Sequence, residues 1–169
     1  MSSSQPYSKS AAFNRLNVYT ERLRQESTQI IEEELPCDFL GVSEKALSYV
    51  GIVQVTGEAY LADEELIVHA SLTAKGLIPC SICNEPVQVT IQVGNFYHAE
   101  SLRTIKSGIF NIGEVIREAI ILETPMFAEC NQGQCSHRKE LAPFLKPDSS
   151  SGSSTEKEIE GYYYPFADL

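Results

Sequence analysis

Cys80 and Cys83 form a C-x₂-C pair within Ile78-Pro79-Cys80-Ser81-Ile82-Cys83-Asn84, and Cys130 and Cys135 form a C-x₄-C pair further along the chain. Thiolates two residues apart can turn both sulfurs toward one point on a tight loop, and two such loops supply the four tetrahedral ligands of a structural Zn²⁺. Cys80, Cys83, Cys130 and Cys135 are therefore the candidate metal ligands, with zinc the candidate ion. The second spacing is wide for such a site, and Asn84 stands where a zinc knuckle often carries Gly. His137, two residues past Cys135, is an alternative ligand, whereas His69 and His98 read as ordinary surface or core residues.

Two other chemistries fit the same cysteines. Reduced thiols pack as small hydrophobes without any ligand. A C-x₂-C pair can also exchange disulfides, but that needs a helix N-terminus to lower the first thiol's pKa within a βαβ pattern. Here Val87-Gln88-Val89-Thr90-Ile91-Gln92-Val93 follows and alternates like a strand, so the context argues against a thiol oxidoreductase. The fifth cysteine, Cys37, makes the count odd, which disfavours a disulfide framework and predicts a buried or half-buried thiol.

No G-x-S-x-G elbow, phosphate-cradling glycine loop or H-E-x-x-H helix occurs. The chain is read as non-enzymatic, with no small-molecule substrate. Its formal charge of -10 at pH 7 opposes binding to bare nucleic acid, where affinity comes from Lys and Arg displacing counterions from phosphate. Lys9, Arg15, Arg22 and Arg24 nevertheless make the N-terminal stretch basic, against acidic Glu26, Glu32–Glu34 and Asp63-Glu64-Glu65.

The elements that must position the cysteines are mostly β. Val53–Tyr60, Leu66–Leu72 and Val87–Val93 alternate apolar with polar residues, the pattern of strands with one buried face. Ala62-Asp63-Glu64-Glu65 supplies a hairpin turn between the first two. Arg15–Thr20 and Thr28–Glu34 are candidate strands, and Asp38–Leu47 reads as more helical. The best helix is Ile112–Leu122, with Ile112, Val115, Ile116, Ala119 and Ile120 on an apolar stripe and Glu114, Arg117 and Glu118 facing water. Pro125 ends it, leaving Cys130 and Cys135 on the loop beyond. The first pair thus lies in a turn between strands and the second after a helix that packs on their sheet, so the two can meet.

The expected class is α+β and β-rich, an antiparallel sheet or partial barrel with packed helices and a zinc-stapled loop. With 169 residues, the chain can bury one real core. Residues 1–10 are Ser-rich and read as a disordered tail, 11–146 as the folded domain, and 147–169 as an acidic Ser/Gly linker with an aromatic end. That end, Tyr162-Tyr163-Tyr164-Pro165-Phe166, could dock on the domain or on another protein. No apolar run reaches membrane-spanning length and Met1-Ser2-Ser3-Ser4-Gln5-Pro6 lacks a signal-peptide core, so a cytoplasmic protein without membrane partners is expected.

The order of these parts resembles one family. A hairpin leads into Leu77-Ile78-Pro79-Cys80-Ser81-Ile82-Cys83 and an alternating strand. The helix Ile112-Gly113-Glu114-Val115-Ile116-Arg117-Glu118-Ala119-Ile120-Ile121-Leu122-Glu123-Thr124-Pro125 follows, then cysteine on a loop. Over about residues 11–146 this is similar to the YceD family of bacterial and plastid proteins implicated in accumulation of large-subunit ribosomal RNA. Many relatives carry a basic residue between the first two cysteines, where this chain has Ile82. Relatives with a fuller second cysteine cluster resemble zinc binders. The resemblance implies a non-enzymatic factor for synthesis, processing or stability of that RNA, with ribosomal RNA or a ribosomal or RNA-processing protein as partner. The charge favours a protein-mediated role. A zinc-stapled protein-interaction module unconnected with RNA is the alternative.

Overall fold

The computed structural model describes residues 13–141, so the expectations for 1–10 and 147–169 lie outside the described residues. The chain divides into two compact units, Met1–His137 and Arg138–Leu169. Of the second, only the helical turn Arg138–Leu141 is described.

The first unit is α+β and antiparallel throughout its named strands. Its scaffold is a four-stranded meander of β2 (Thr28–Pro36), β3 (Ser48–Ala62), β4 (Glu65–Pro79) and β5 (Pro86–Ser101), in that spatial order. The short strands β1 (Asn17–Tyr19) and β6 (Ile109–Asn111) pair separately, and α1 (Thr20–Glu26) links β1 to β2. β3 and β4 join through Asp63 and Glu64, with Ala62 paired to Glu65. Asp63 takes the left-handed conformation, φ 53°, which a short polar side chain tolerates better than a bulky one.

Alternation sorts the long strands into two faces. Val53, Val55, Ala59, Leu66, Val68, Leu72, Ala74 and Ile91 are buried on the inner face. Against it packs α2 (Gly113–Glu123), which buries Ile116 and Ile120 with Ile112 just before its first turn. Asn111 Oδ1 accepts the Gly113 N–H at 2.9 Å, satisfying one donor that the helix start would otherwise leave open. At the other end Thr124 Oγ1 donates to the Ile120 carbonyl at 2.7 Å, and the Tyr49 hydroxyl on β3 lies 2.7 Å from Thr124 Oγ1.

Two expectations are corrected. Asp38–Leu47 is not a helix: a single 3₁₀ turn spans Cys37–Leu40, and Gly41 at φ 66° caps it, its N–H bonded to the Asp38 carbonyl. The buried Phe39 and Leu40 serve core packing rather than a helical stripe. Arg117 does not simply face water. It is half-buried, and its Nε donates to the Leu40 carbonyl at 2.7 Å, tying α2 to that turn. Among the described residues no helix is long and apolar enough to cross a membrane.

Candidate metal centre

The β4–β5 ladder ends where its sequence forces it to. Pro79 and Pro86 are opposite each other, and neither has an N–H to extend the pairing. The six residues between them close a knuckle. Cys80 N–H bonds the Glu85 carbonyl at 2.8 Å and Asn84 N–H bonds the Cys80 carbonyl at 3.0 Å. Asn84 sits at φ 61°, the left-handed position for which glycine is the usual residue and asparagine the commonest substitute. The missing glycine is thus replaced by a residue that adopts the same turn.

The second loop is brought to this knuckle by backbone. Ala128 forms a parallel bridge with Cys80, and its carbonyl accepts both the Ser81 N–H at 2.8 Å and the Ser81 hydroxyl at 2.9 Å. Past that anchor the chain coils in the left-handed sense through Asn131, Gln132 and Gly133, with φ of 53°, 55° and 88°. These residues explain how four intervening positions still return Cys135 to Cys130. Non-glycine residues in this region cost roughly 1–3 kcal/mol each, so the loop holds this shape only where something offsets the strain.

All four predicted ligands meet. The Sγ atoms of Cys80, Cys83, Cys130 and Cys135 lie within 4.8 Å of one another, with Cys83 and Cys130 at 3.9 Å. No disulfide joins them. Cys80 and Cys135 are buried and Cys83 and Cys130 half-buried. His137 is exposed and is not part of the cluster. Cys37 is half-buried elsewhere, its thiol donating to the Tyr49 carbonyl at 3.2 Å. Comparison with protein-family models, with curated proteins and with solved structures gave no match.

The electrostatics suit a thiolate centre. N–H groups of Cys83 and Cys130, and then Ile82, point to Cys80 sulfur and lower its pKa to about 6 despite burial. Cys130 N is 3.5 Å from that sulfur. Cys130 is pushed up to about 12, chiefly because its thiol bonds the sulfur of Cys135, with burial and the other two sulfurs acting in the same direction. For Cys83 the Glu85 N–H is the largest influence and lowers the pKa, but burial and the Cys80 and Cys135 sulfurs outweigh it and the net shift is upward. One thiolate is thus ready-made, while crowding keeps protons on Cys83 and Cys130. A divalent cation among the four would remove that conflict by compensating the negative charge.

A low thiol pKa is also what disulfide exchange requires, but an attacking sulfur must be reached by its substrate. Cys80 has 0% of its surface exposed. It lies in a strand-to-strand knuckle, and the Cys130 N–H that points at it opens a single turn with left-handed φ/ψ at Asn131 and Gln132 rather than a regular helix. The arrangement therefore fits coordination better than exchange. The four cysteines can hold a metal ion, and the donor set is that of a closed structural site.

Proposed function

We propose that Cys80, Cys83, Cys130 and Cys135 hold a structural Zn²⁺, and that the domain so stapled acts without catalysis in the accumulation of large-subunit ribosomal RNA. The convergence of four sulfurs within 4.8 Å carries the metal reading, because tetrahedral zinc with Zn–S near 2.3 Å sets sulfurs about 3.8 Å apart. Soft thiolates select zinc over magnesium or calcium. Ile78, Cys80 and Cys135 are buried yet stand apart from the main apolar core. Metal coordination is what would hold this end together where the core does not reach.

The ribosomal RNA reading is supported by the family resemblance and by the order of parts on which it rests. A net charge of -10 leaves little capacity to neutralise phosphates. The role is therefore that of an adaptor toward a ribosomal or RNA-processing protein in the cytoplasm. Depletion of the protein from the cells that make it, followed by subunit profiling, tests this. Large-subunit RNA should fall relative to small-subunit RNA, and an unchanged ratio would overturn it.

The second reading, a zinc-stapled interaction module without a ribosomal role, is favoured by one specific observation. Leu122, Met126 and Phe127 are exposed at the end of α2 and on the approach to Cys130. It predicts loss of a partner complex on metal removal, with ribosomal RNA unchanged.

A further inference from the structure

The outer face of the four-stranded sheet carries chemistry that neither the metal centre nor the core uses. Strand register places Ile30, Glu58, His69 and Tyr97 in one row across β2, β3, β4 and β5. Tyr60, one step along β3, stacks on His69 with centroids 6.1 Å apart and planes 3° from parallel. His69 meets Tyr97 edge-on at 4.9 Å. Three rings on three adjacent strands thus make a continuous surface. It is open: Ile30 is 65% and Tyr97 57% exposed.

Acidic groups border these rings. Glu32 pairs in register with Thr56, and Thr56 with Ser71. Two depressions of about 330 Å³ each share Thr56 and Ser71, one lined by Ile30, Glu58 and His69 and the other by Glu32 and Glu34. Among the described residues no ion pair joins Glu32, Glu34 or Glu58 to a cation. An aromatic face bordered by carboxylates without a cation partner recognises a planar cation twice over: guanidinium stacks on the rings and donates paired N–H groups to the carboxylates.

We infer that this face binds an extended, arginine-rich segment of a partner protein. An open aromatic sheet is also how single-stranded RNA is held, by stacking bases. Here the carboxylates of Glu32 and Glu58 sit in the rows where phosphates would have to run, and like charge opposes them. The four strands span about 14 Å at 4.8 Å spacing, which about four to five residues of extended chain cross at roughly 3.3 Å each. The inference rests on the sheet rather than on the ribosomal RNA reading, and its test does not depend on that reading.

The test is fluorescence anisotropy on the full chain with a labelled peptide of about ten residues alternating arginine and serine, long enough to cross the sheet. A lysine–serine twin and an oligouridylate of the same length are the comparisons, at about 150 mM salt, where long-range charge effects are damped. The arginine peptide should bind saturably and at least about threefold more tightly than the lysine twin, the margin expected of exposed cation–π contacts. His69→Ser with Tyr97→Ser should erase that margin. Tyr97→Leu, which keeps bulk but removes the π face, should narrow it and serves if the double variant fails to fold. Glu32→Gln with Glu58→Gln should weaken both peptides and flatten their salt dependence. Equal affinity for the two peptides, no saturable binding below about 1 mM, or tighter binding of the oligouridylate would each overturn the inference.

Discussion

Cys83 and Cys130 are 47 positions apart in the chain, yet their sulfurs are 3.9 Å apart, close to the roughly 3.8 Å between two ligands of one tetrahedral zinc. One sulfur comes from the β4–β5 knuckle and the other from the loop after α2, so the pair measures how well the two halves of the site are brought together. Cys130→Ser should lower zinc affinity by more than about 100-fold, beyond the loss typical of altering a mere supporting group. Cys37→Ser, at a thiol outside the cluster, should leave zinc content unchanged. Competition with a chelator reads both.

Metal affinity should rise with pH, because ligand thiols must be deprotonated. Cys80, lowered to about 6, is already ionised near neutrality. Cys83 and Cys130 have raised values, so each gives up a proton when the ion binds. Between about pH 7 and 8 the apparent affinity should therefore increase by at least about 100-fold per unit, the protons of Cys83 and Cys130 being among those released on binding. Pipette-scale calorimetry in buffers of different ionisation enthalpy counts those protons directly, and a release below one would remove the basis for this sign and size.

The long strands and the helix were legible because their burial is periodic: Ile116 and Ile120 are fully buried where the stripe puts them, and Glu114 is exposed. So was the meeting of the cysteine pairs, since a turn between strands and a loop past a packed helix lie at one end of the sheet. What spacing alone could not tell was how a C-x₄-C loop closes. That depends on the left-handed run Asn131–Gly133, which no apolar pattern reports, although Asn-x-Gly is the composition such a run favours. Asp38–Leu47 misled because Phe39 and Leu40 mimic one helical turn, while Gly41 stops it. Arg117 misled because its Nε reaches the Leu40 carbonyl, a contact between segments remote in sequence.

Ile120→Ala should destabilise the domain by about 2–5 kcal/mol through lost transfer energy and the cavity left behind. Glu114→Ala, on the exposed side of the same helix, should change stability by no more than about 0.5 kcal/mol. Urea titration of the two variants, at equal zinc loading, makes the comparison.

Gly57 on β3 pairs with Ala70 on β4. A Cβ there would lie 2.1 Å from the His69 carbonyl oxygen and 2.6 Å from the Ala70 Cα, both backbone atoms that cannot rotate away. Gly57→Ala should force the strands apart and cost about 3 kcal/mol or more, at the upper end of overpacking penalties. Gly94→Ala meets nothing within 4 Å and should be nearly neutral. Thermal unfolding of both proteins is the check, and similar midpoints would mean that the two strands are further apart than described.

X-ray absorption at the zinc edge, with metal analysis of the same sample, tests the structural zinc centre most directly. One zinc per chain is expected, surrounded by four sulfurs at about 2.3 Å, with no nitrogen or oxygen ligand. A metal-free protein that is equally stable after zinc is added and removed, or a first shell containing histidine or water, would contradict it.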